Sequence, residues 1–402
     1  MSKKKRISGF GSLCLQHVDL GKKITPHATP VYATSGFSFE NTEEAIELFK
    51  DLDKGFTYSR LANPTVEICE EKIASLETFG SEIQARAQMF SSGVAAISSA
   101  ILSCVKPGEK ILTQNLLYGT TDEMMKSLLA SFNIQTIQTN LNEVKTVEAI
   151  LKKDKKIKLI YIETPSNPVL EVFDIAELAS LAKMYQCKTI VDNTFATPYL
   201  QQPLLLGTDL SVHSTTKYLN GHGTGLGGVV VGTDKKLVKE DVWKKVKLLG
   251  GCANAWDAWL VLNGIKTLEL RMQRHCENAK KVAHFLADHP AIVKVNYPGL
   301  RKHEQHTLAK KQMRDFGGML SFELKGGLKA GIRFINNLKM GQLITSLGTV
   351  DTICLHPASM SHVNVPREQR LAFGITDGLV RMSVGIETVE DIINDIEHAL
   401  EK

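Results

Sequence analysis

The stretch from position 209 to 232, DLSVHSTTKYLNGHGTGLGGVVVG, places one lysine in a chemically suggestive setting. Leu210 and Val212 alternate with polar residues as in a short strand. The strand breaks into the hydroxyls of Ser214, Thr215 and Thr216, and Lys217 follows at once. Five glycines then lie between Gly221 and Gly228 before a second β-branched run at 229–231. A lysine amine on a polar turn at a strand end, beside hydroxyls suited to a phosphate, has the makings of a Schiff base to pyridoxal phosphate. In isolation the same residues also describe a surface lysine on a glycine-rich loop, so the remaining requirements of such a cofactor must be sought elsewhere.

Those requirements are an anion site for the phosphate and a carboxylate to keep the pyridine nitrogen protonated. Ser92-Gly93-Val94 sits where an apolar strand turns into a helix, and free amides at a helix start attract anions. Asp192 ends the strand 189–191, placed either to cap the following turn or to pair with a pyridinium nitrogen. Its distance from Lys217 is one strand–helix–strand interval, which permits neighbouring strand ends. Tyr118 follows Asn115-Leu116-Leu117 and is placed either to stack on an aromatic ligand or to cap a hydrophobic edge.

The elements that must hold these residues form a regular alternation. Asn63 as N-cap and Pro64 at the first helical position open a helix whose stripe is Val66, Cys69, Ile73 and Leu76. Beyond Gln88 come a strand at 89–90, a helix over 94–103, a strand at 110–112, a helix from Tyr118 to 130, a strand at 158–162, a helix over 175–185 and the strand 189–191. This pattern predicts an α/β architecture with a mostly parallel sheet between helices, its ligand beyond the carboxyl ends of the strands. Past Asn263 the texture changes to a long helix over 268–287, strands at 292–295, 318–324 and 379–384, and a closing helix from Thr388: a smaller α/β domain. Residues 1 to about 60 are poorly patterned and rich in turn formers, so they are expected to pack on another part of the protein or another subunit.

Composition sets the outer bounds. With 402 residues, 43% hydrophobic and 23% charged, the chain has the makings of two globular domains. A formal charge of +5 spread over mixed-sign helices argues against nucleic acid or a membrane surface as partner. No apolar run approaches the ~18 residues of a membrane span. The basic start MSKKKR lacks the apolar stretch of a secretory signal, and seven scattered cysteines without a CxxC pair read as reduced thiols, so a cytoplasmic location is expected. Gly223 to Gly228 fits G-x-G-x-x-G, but a strand rather than a helix follows, against dinucleotide binding. His303-Glu304-Gln305-His306 has the wrong spacing for a helical zinc pair, and no metal is expected. His222 and His356 adjoin the motifs, either lining the site or packing loops.

Taken in order, SSGVAA, LYGTT, ETPSNP, VDNTFATPYLQQPLLLGTDLSVHSTTKYLNGHG and LVRMSVG resemble the Cys/Met-metabolism, or trans-sulfuration, family of pyridoxal-phosphate enzymes. The family includes methionine γ-lyase, homoserine-ester sulfhydrylases, and cystathionine γ-synthase and γ-lyase. The resemblance runs from about Tyr58 to the C-terminus and implies fold-type I: a seven-stranded-type sheet between helices in a cofactor domain (64–262), a C-terminal domain (263–402), and an N-terminal segment (1–63) packing on a neighbouring subunit. It implies that Lys217 holds the cofactor and moves protons, that Asp192 pairs with the ring nitrogen, that Tyr118 stacks on the ring, and that Asn167 lies near the phenolic oxygen. It implies a phosphate site of Ser92, Gly93, Val94, Ser214 and Thr216, completed by Tyr58 and Arg60 of a neighbouring subunit in a dimer of dimers. Arg381, with Ser346, would take the α-carboxylate of an amino-acid substrate.

Members of the family expel a γ-substituent and differ in whether water or a thiol completes the reaction. Thr120 stands where methionine γ-lyases place a cysteine, and Thr345 where cystathionine enzymes place a glutamate. Gly223-Thr224 is closer to the sulfhydrylases, whereas the length and GGMLSFELKGG are closer to methionine γ-lyase. The expected activity is therefore γ-elimination or γ-replacement with a methionine γ-lyase-like framework, followed by O-acetyl- or O-succinylhomoserine sulfhydrylase and then cystathionine chemistry. A non-enzymatic protein that keeps the cofactor pocket is disfavoured because Lys217, Asp192, Tyr118 and Arg381 are all present.

Overall fold

The computed structural model describes residues 9–16, 18, 26–51 and 54–401. The rest of the expected N-terminal segment lies outside the described residues. Seven strands, β1 (Arg86–Phe90), β2 (Lys110–Gln114), β3 (Gln135–Thr139), β4 (Ile157–Glu163), β5 (Lys188–Asp192), β6 (Leu210–Ser214) and β7 (Gly228–Gly232), form one sheet in the order β1-β7-β6-β5-β4-β2-β3. From β3 to β6 the pairs are parallel, and β7 runs antiparallel to both its neighbours. The expected mostly parallel sheet is thus present, with one reversed strand. Nearly every residue of β4 and β7 is buried, as when helices cover both faces.

Strand periodicity explains why the sheet gathers chemistry at one edge. Successive side chains point to opposite faces. Leu159 and Tyr161 of β4 pack with Ile190, Leu210, Val212 and Val230 and with Ile97 and Ile101 of the helix Gly93–Cys104. Ile160, Ile162 and Val191 face the other way, toward Ile175 and Leu178 of the helix Ile175–Met184. Continuing the first row by one step brings Glu163, Asp192 and Ser214 to the same face at the carboxyl ends of β4, β5 and β6.

Five strands, β8 (Ile292–Asn296), β9 (Met319–Leu324), β10 (Gln342–Leu343), β11 (Ile353–Leu355) and β12 (Leu379–Ser383), form a second sheet in the order β10-β11-β12-β9-β8. Phe322, Val380, Met382 and Cys354 of this sheet pack on Val282 and Leu286 of the helix Leu268–Asp288 and on Ile392 and Ile396 of the closing helix Val389–Glu401. A third core joins the sheets: Val229 and Val231 meet Ile73, Val261, Ile265 and Met272 there.

Two local features refine the sequence reading. The helix after Tyr118 is not uniform: Gly119–Glu123 is α-helical and Met124–Leu129 is wound as a π-helix. The wider turn lets the consecutive Met124 and Met125 both bury. The N-terminal segment is not wholly left for another surface. A helix at Phe10–Leu15 docks on its own chain, with Phe10 buried edge-on against Phe79 and Tyr199. Tyr32, Ile46, Phe49 and Tyr58 remain exposed.

Candidate active site

A cleft of about 240 Å³ opens at the carboxyl ends of β4, β5 and β6. Of the residues singled out in the sequence, Ser92, Gly93, Val94, Tyr118, Asn167, Asp192, Ser214, Thr216, Lys217, Ser346 and Arg381 all line it. Tyr58 and Arg60 do not. They line a separate cleft with Tyr32, Asn63 and Trp256, where Arg60 Nη1 donates to the Lys247 carbonyl at 2.6 Å and the guanidinium lies over the Tyr58 ring.

Lys217 sits on the turn after β6, and its Nζ donates to Ser346 Oγ at 3.1 Å. Its partner is a hydroxyl rather than a carboxylate, and a second cation, Arg381, is nearby. Burial first, and Arg381 second, hold the Lys217 ammonium well below its ordinary range, at about 8. An amine so placed is readily available in its neutral, nucleophilic form.

The expected phosphate end is built by a close approach of helix to strand. Ser92 caps the helix Gly93–Cys104 by accepting from the Ala95 amide at 3.1 Å, leaving the amides of Gly93 and Val94 for an anion. A Cβ on Gly93 would stand 2.8 Å from Ser214 Cβ, so glycine is what brings the helix start against the end of β6. Ser214 is held there by its own amide, which donates to Thr194 Oγ1 at 2.9 Å. Thr216 Oγ1 accepts from the Gly227 amide at 3.0 Å and lies 3.3 Å from the Gly227 carbonyl, so it anchors the glycine-rich loop as well as facing the cleft.

At the floor, register pairs Asp192 with Glu163 across parallel strands. Asp192 Oδ1 accepts from the Thr194 amide at 3.0 Å. Burial raises the Asp192 pKa, against the opposing pull of Thr194 and of His213 behind it. Glu163 is raised well above the usual carboxylate range, first by burial and then by the charge of Asp192.

The second sheet contributes Arg381, which is buried on β12. Its Nη1 donates to Asn167 Oδ1 at 3.0 Å and its Nη2 to the Ser346 carbonyl at 2.8 Å, while Nε is buried without a partner. Burial brings this guanidinium down to about 10. A buried guanidinium that lines a cleft with N–H donors to spare is suited to a carboxylate.

Several neighbours escaped the sequence reading: Glu163, Thr194, Phe195, Leu226, Ile97 and Leu347. Glu163 opens the ETPSNP motif and Thr194 follows Asp192 by two, but only strand register shows that they converge. His222 and His356 pack loops. His222 Nδ1 donates to the Asn220 carbonyl at 2.7 Å, and His356 sits between Ser359 Oγ and the Asp377 carbonyl. Thr224 Oγ1 donates to Asn220 Oδ1, and neither Gly223-Thr224 nor Thr120 is among the residues lining the cleft. Among the described residues, no group of three or more His, Cys, Asp or Glu is arranged to hold a metal ion.

The arrangement fits pyridoxal phosphate on its own terms: a deprotonatable buried lysine, a glycine-made anion site and a buried carboxylate line one cleft. Comparison with known proteins agrees. The profile of the Cys/Met metabolism PLP-dependent enzyme family matches residues 15–401. An L-methionine gamma-lyase of Fusobacterium nucleatum subsp. polymorphum is 44% identical over 396 residues, covering 98% of each chain. A cystathionine beta-lyase of Lactococcus lactis subsp. cremoris is 43% identical over 375 residues, covering 93% of this chain and 94% of the other. The crystal structure of cystathionine gamma synthase from Xanthomonas oryzae pv. oryzae superposes with a TM-score of 0.91 at 34% identity, covering 98% of each chain. The chain therefore belongs to the Cys/Met metabolism family of PLP-dependent enzymes and has their fold-type I architecture.

Proposed function

We propose that this enzyme eliminates the γ-substituent of an amino acid with an uncharged side chain, methionine foremost, yielding methanethiol, 2-oxobutanoate and ammonia with the uptake of one water. The observation that carries this reading is the distribution of charge in the cleft. Its carboxylates, Glu163 and Asp192, both lie at the strand ends, and its cations are Lys217 and Arg381. The rest of the wall includes Val94, Ile97, Phe195, Leu226 and Leu347, with Thr345 offering a hydroxyl. One amino-acid head and an uncharged tail suit such a site, whereas the distal ammonium and carboxylate of cystathionine meet no further counter-charge among the described residues lining it. The relatives named methionine gamma-lyase support the same choice.

Bound pyridoxal phosphate supplies an aldehyde for the amine and an electron sink conjugated to the substrate Cα. Ser92, Gly93, Val94, Ser214 and Thr216 would hold its phosphate and Asp192 its ring nitrogen, with Asn167 near its phenolic oxygen. Tyr118 would stack on the ring. Arg381 would take the substrate carboxylate, with Asn167 and the Ser346 carbonyl setting the guanidinium plane. Lys217 Nζ, held by Ser346 Oγ, takes the proton from Cα and carries it along the substrate.

Tyr58 and Arg60 lie outside their own cleft, which supports a role in the phosphate site of a second subunit and a dimer of dimers. Exposed Leu248, Leu249 and Trp256 are apolar surface for such contacts. A division between cofactor and C-terminal domains is best drawn at Lys266-Thr267, because position 262 falls inside the helix Ala255–Ile265. Among the described residues no helix is long and apolar enough to cross a membrane. A cytoplasmic setting is supported by seven free cysteines.

The test is to offer methionine, cystathionine, and O-acetyl- or O-succinylhomoserine with and without sulfide. Oxobutanoate from methionine alone supports the proposal. Homocysteine formed only when ester and sulfide are both present would make the enzyme a sulfhydrylase instead. The holoenzyme should be yellow, absorb at about 420 nm and bleach with borohydride, and Lys217→Ala should lose both colour and turnover.

A further inference from the structure

Glu163 has no place in the proposed mechanism, yet it is buried (5% exposed) at the floor of the cleft, opposite Asp192 on the adjacent strand. Its Oε2 accepts from the Tyr118 amide at 2.7 Å, at the start of the helix that carries Tyr118 into the cleft. Its Oε1 lies 3.4 Å from the hydroxyl of Tyr161, which is fully buried on the same strand and also favours the charged form of Asp192. Its own backbone is fixed by Gln114, whose amide side chain bonds both the Glu163 N–H and C=O. The groups that bear most on the carboxyl, Asp192, the Tyr118 amide, Tyr161 and Asp122, include no cation.

We infer that Glu163 is a positioning residue, a neutral buried carboxyl that sets Tyr118 through its backbone amide and, through Tyr161, keeps Asp192 as the single negative charge at the floor of the cofactor site.

Two buried carboxylates on neighbouring strand ends, with no cation between them, do not both ionise. The groups facing the pair divide unequally. Around Glu163 stand Tyr161 on its own strand, Asp122 on the helix after Tyr118 and Asp192 on β5. Around Asp192 stand Thr194, Tyr161 and His213, all of which favour its charged form, and Lys217 and Arg381 lie across the same cleft. The proton therefore belongs on Glu163. A protonated Oε1 donates to Tyr161 Oη, the phenol then donates to Asp192, and Oε2 stays free to accept from Tyr118. All three polar groups are satisfied by this one arrangement. The device secures two contacts of the cofactor at once, the ring above and the carboxylate below.

The inference rests on the assignment of Asp192 to the cofactor's ring nitrogen, and the experiment separates the two. Apo-protein is reconstituted with pyridoxal phosphate, and affinity and the pH midpoint of the bound absorbance are measured for wild type, Glu163→Gln, Glu163→Ala and Tyr161→Phe, with circular dichroism as the check of folding. Glu163→Gln copies the neutral carboxyl and should stay within about threefold of wild type in affinity. Glu163→Ala strands the Tyr118 amide and should bind at least about tenfold more weakly. Tyr161→Phe should keep affinity but move the absorbance midpoint. If Gln fails as badly as Ala, a carboxylate charge is needed and the inference is overturned. A folded Glu163→Ala with wild-type affinity and spectrum overturns it as well. Should Ala not fold, Glu163→Asp, too short to reach the Tyr118 amide, takes its place with the same two outcomes. Failure of wild type itself to bind the cofactor would sink the underlying reading instead.

Discussion

Arg381 Nη1 lies 3.0 Å from Asn167 Oδ1, so a residue of the second sheet is tied to the loop that leaves β4 of the first. The proposed carboxylate clamp is therefore not a property of either sheet alone. Its plane is set by Asn167 on one side and the Ser346 carbonyl on the other, and Ser346 also holds Lys217 through its hydroxyl. Lysine, hydroxyl and guanidinium form one connected unit, so that the substrate head and the proton carrier proposed for them would be positioned by shared partners.

That connection makes Arg381 intolerant of even a conservative change. Lysine at 381 keeps a charge but cannot reach Asn167, Ser346 and a substrate carboxylate with one ammonium. Arg381→Lys is expected to lower kcat/KM at least about 100-fold, chiefly through KM, with the cofactor absorbance retained. Steady-state kinetics on reconstituted holoenzyme checks this. An unchanged KM would remove Arg381 from the carboxylate site.

The depressed pKa of Lys217 sets a pH dependence for cofactor uptake. The neutral amine is the reacting form, so the rate of uptake by apo-protein should rise with pH and level off above about 8. At pH 7 about a tenth of the amine is neutral, far more than for an ordinary lysine. Because Arg381 contributes to the depression, Arg381→Met should move the inflection upward. Stopped-flow absorbance across the pH range measures both. A midpoint near that of a free lysine in the wild type would contradict the burial argument.

Much of this site was legible in the chain because its parts are punctuation marks at strand ends. Lys217, Asp192 and the Ser92-Gly93-Val94 turn each end an apolar run and begin a polar one, and the parallel sheet brings such ends together. Strand β3 was not anticipated, since Gln135–Thr139 is polar and only partly buried, as an edge strand can be. Glu163 was hidden for a different reason. Its meaning lies in the register against Asp192 and in a hydrogen bond to the backbone of Tyr118, 45 residues away in sequence, and neither leaves a mark in local composition. The short strands β10 and β11 were missed because two or three residues carry too little periodicity to show.

Behind the site, a second buried cluster holds the sheet to its helices. Glu77 ends the helix Pro64–Glu77 with no exposed surface. Its Oε1 meets His213 Nε2 and accepts from Ser211 Oγ at 2.9 Å and, more weakly, from Asn193 Nδ2 at 3.5 Å. Removing this carboxyl strands the His213 ring and Ser211 in an apolar interior. Glu77→Ala should cost about 3 kcal/mol of stability, read as a lower urea midpoint. Because His213 also bears on Asp192, a smaller change in the cofactor spectrum is expected alongside it. A wild-type midpoint would show that the cluster relaxes around the gap.

Thr345 offers the most direct test of what chooses the substrate. It is exposed on the cleft wall next to Ser346, in the connection after β10. A methionine tail asks nothing of this position beyond shape, whereas cystathionine carries an ammonium and a carboxylate at its far end. Thr345→Glu would place a carboxylate beside Ser346, where the distal ammonium has no carboxylate partner among the described residues. A charge-assisted hydrogen bond there is expected to raise kcat/KM for cystathionine about tenfold. The same charge, uncompensated beside an apolar thioether, should lower kcat/KM for methionine by a similar factor. The ratio of the two specificity constants is the quantity to measure, since it cancels changes in folding or cofactor content. A ratio unmoved by the substitution would mean that the distal end of the substrate lies elsewhere in the cleft.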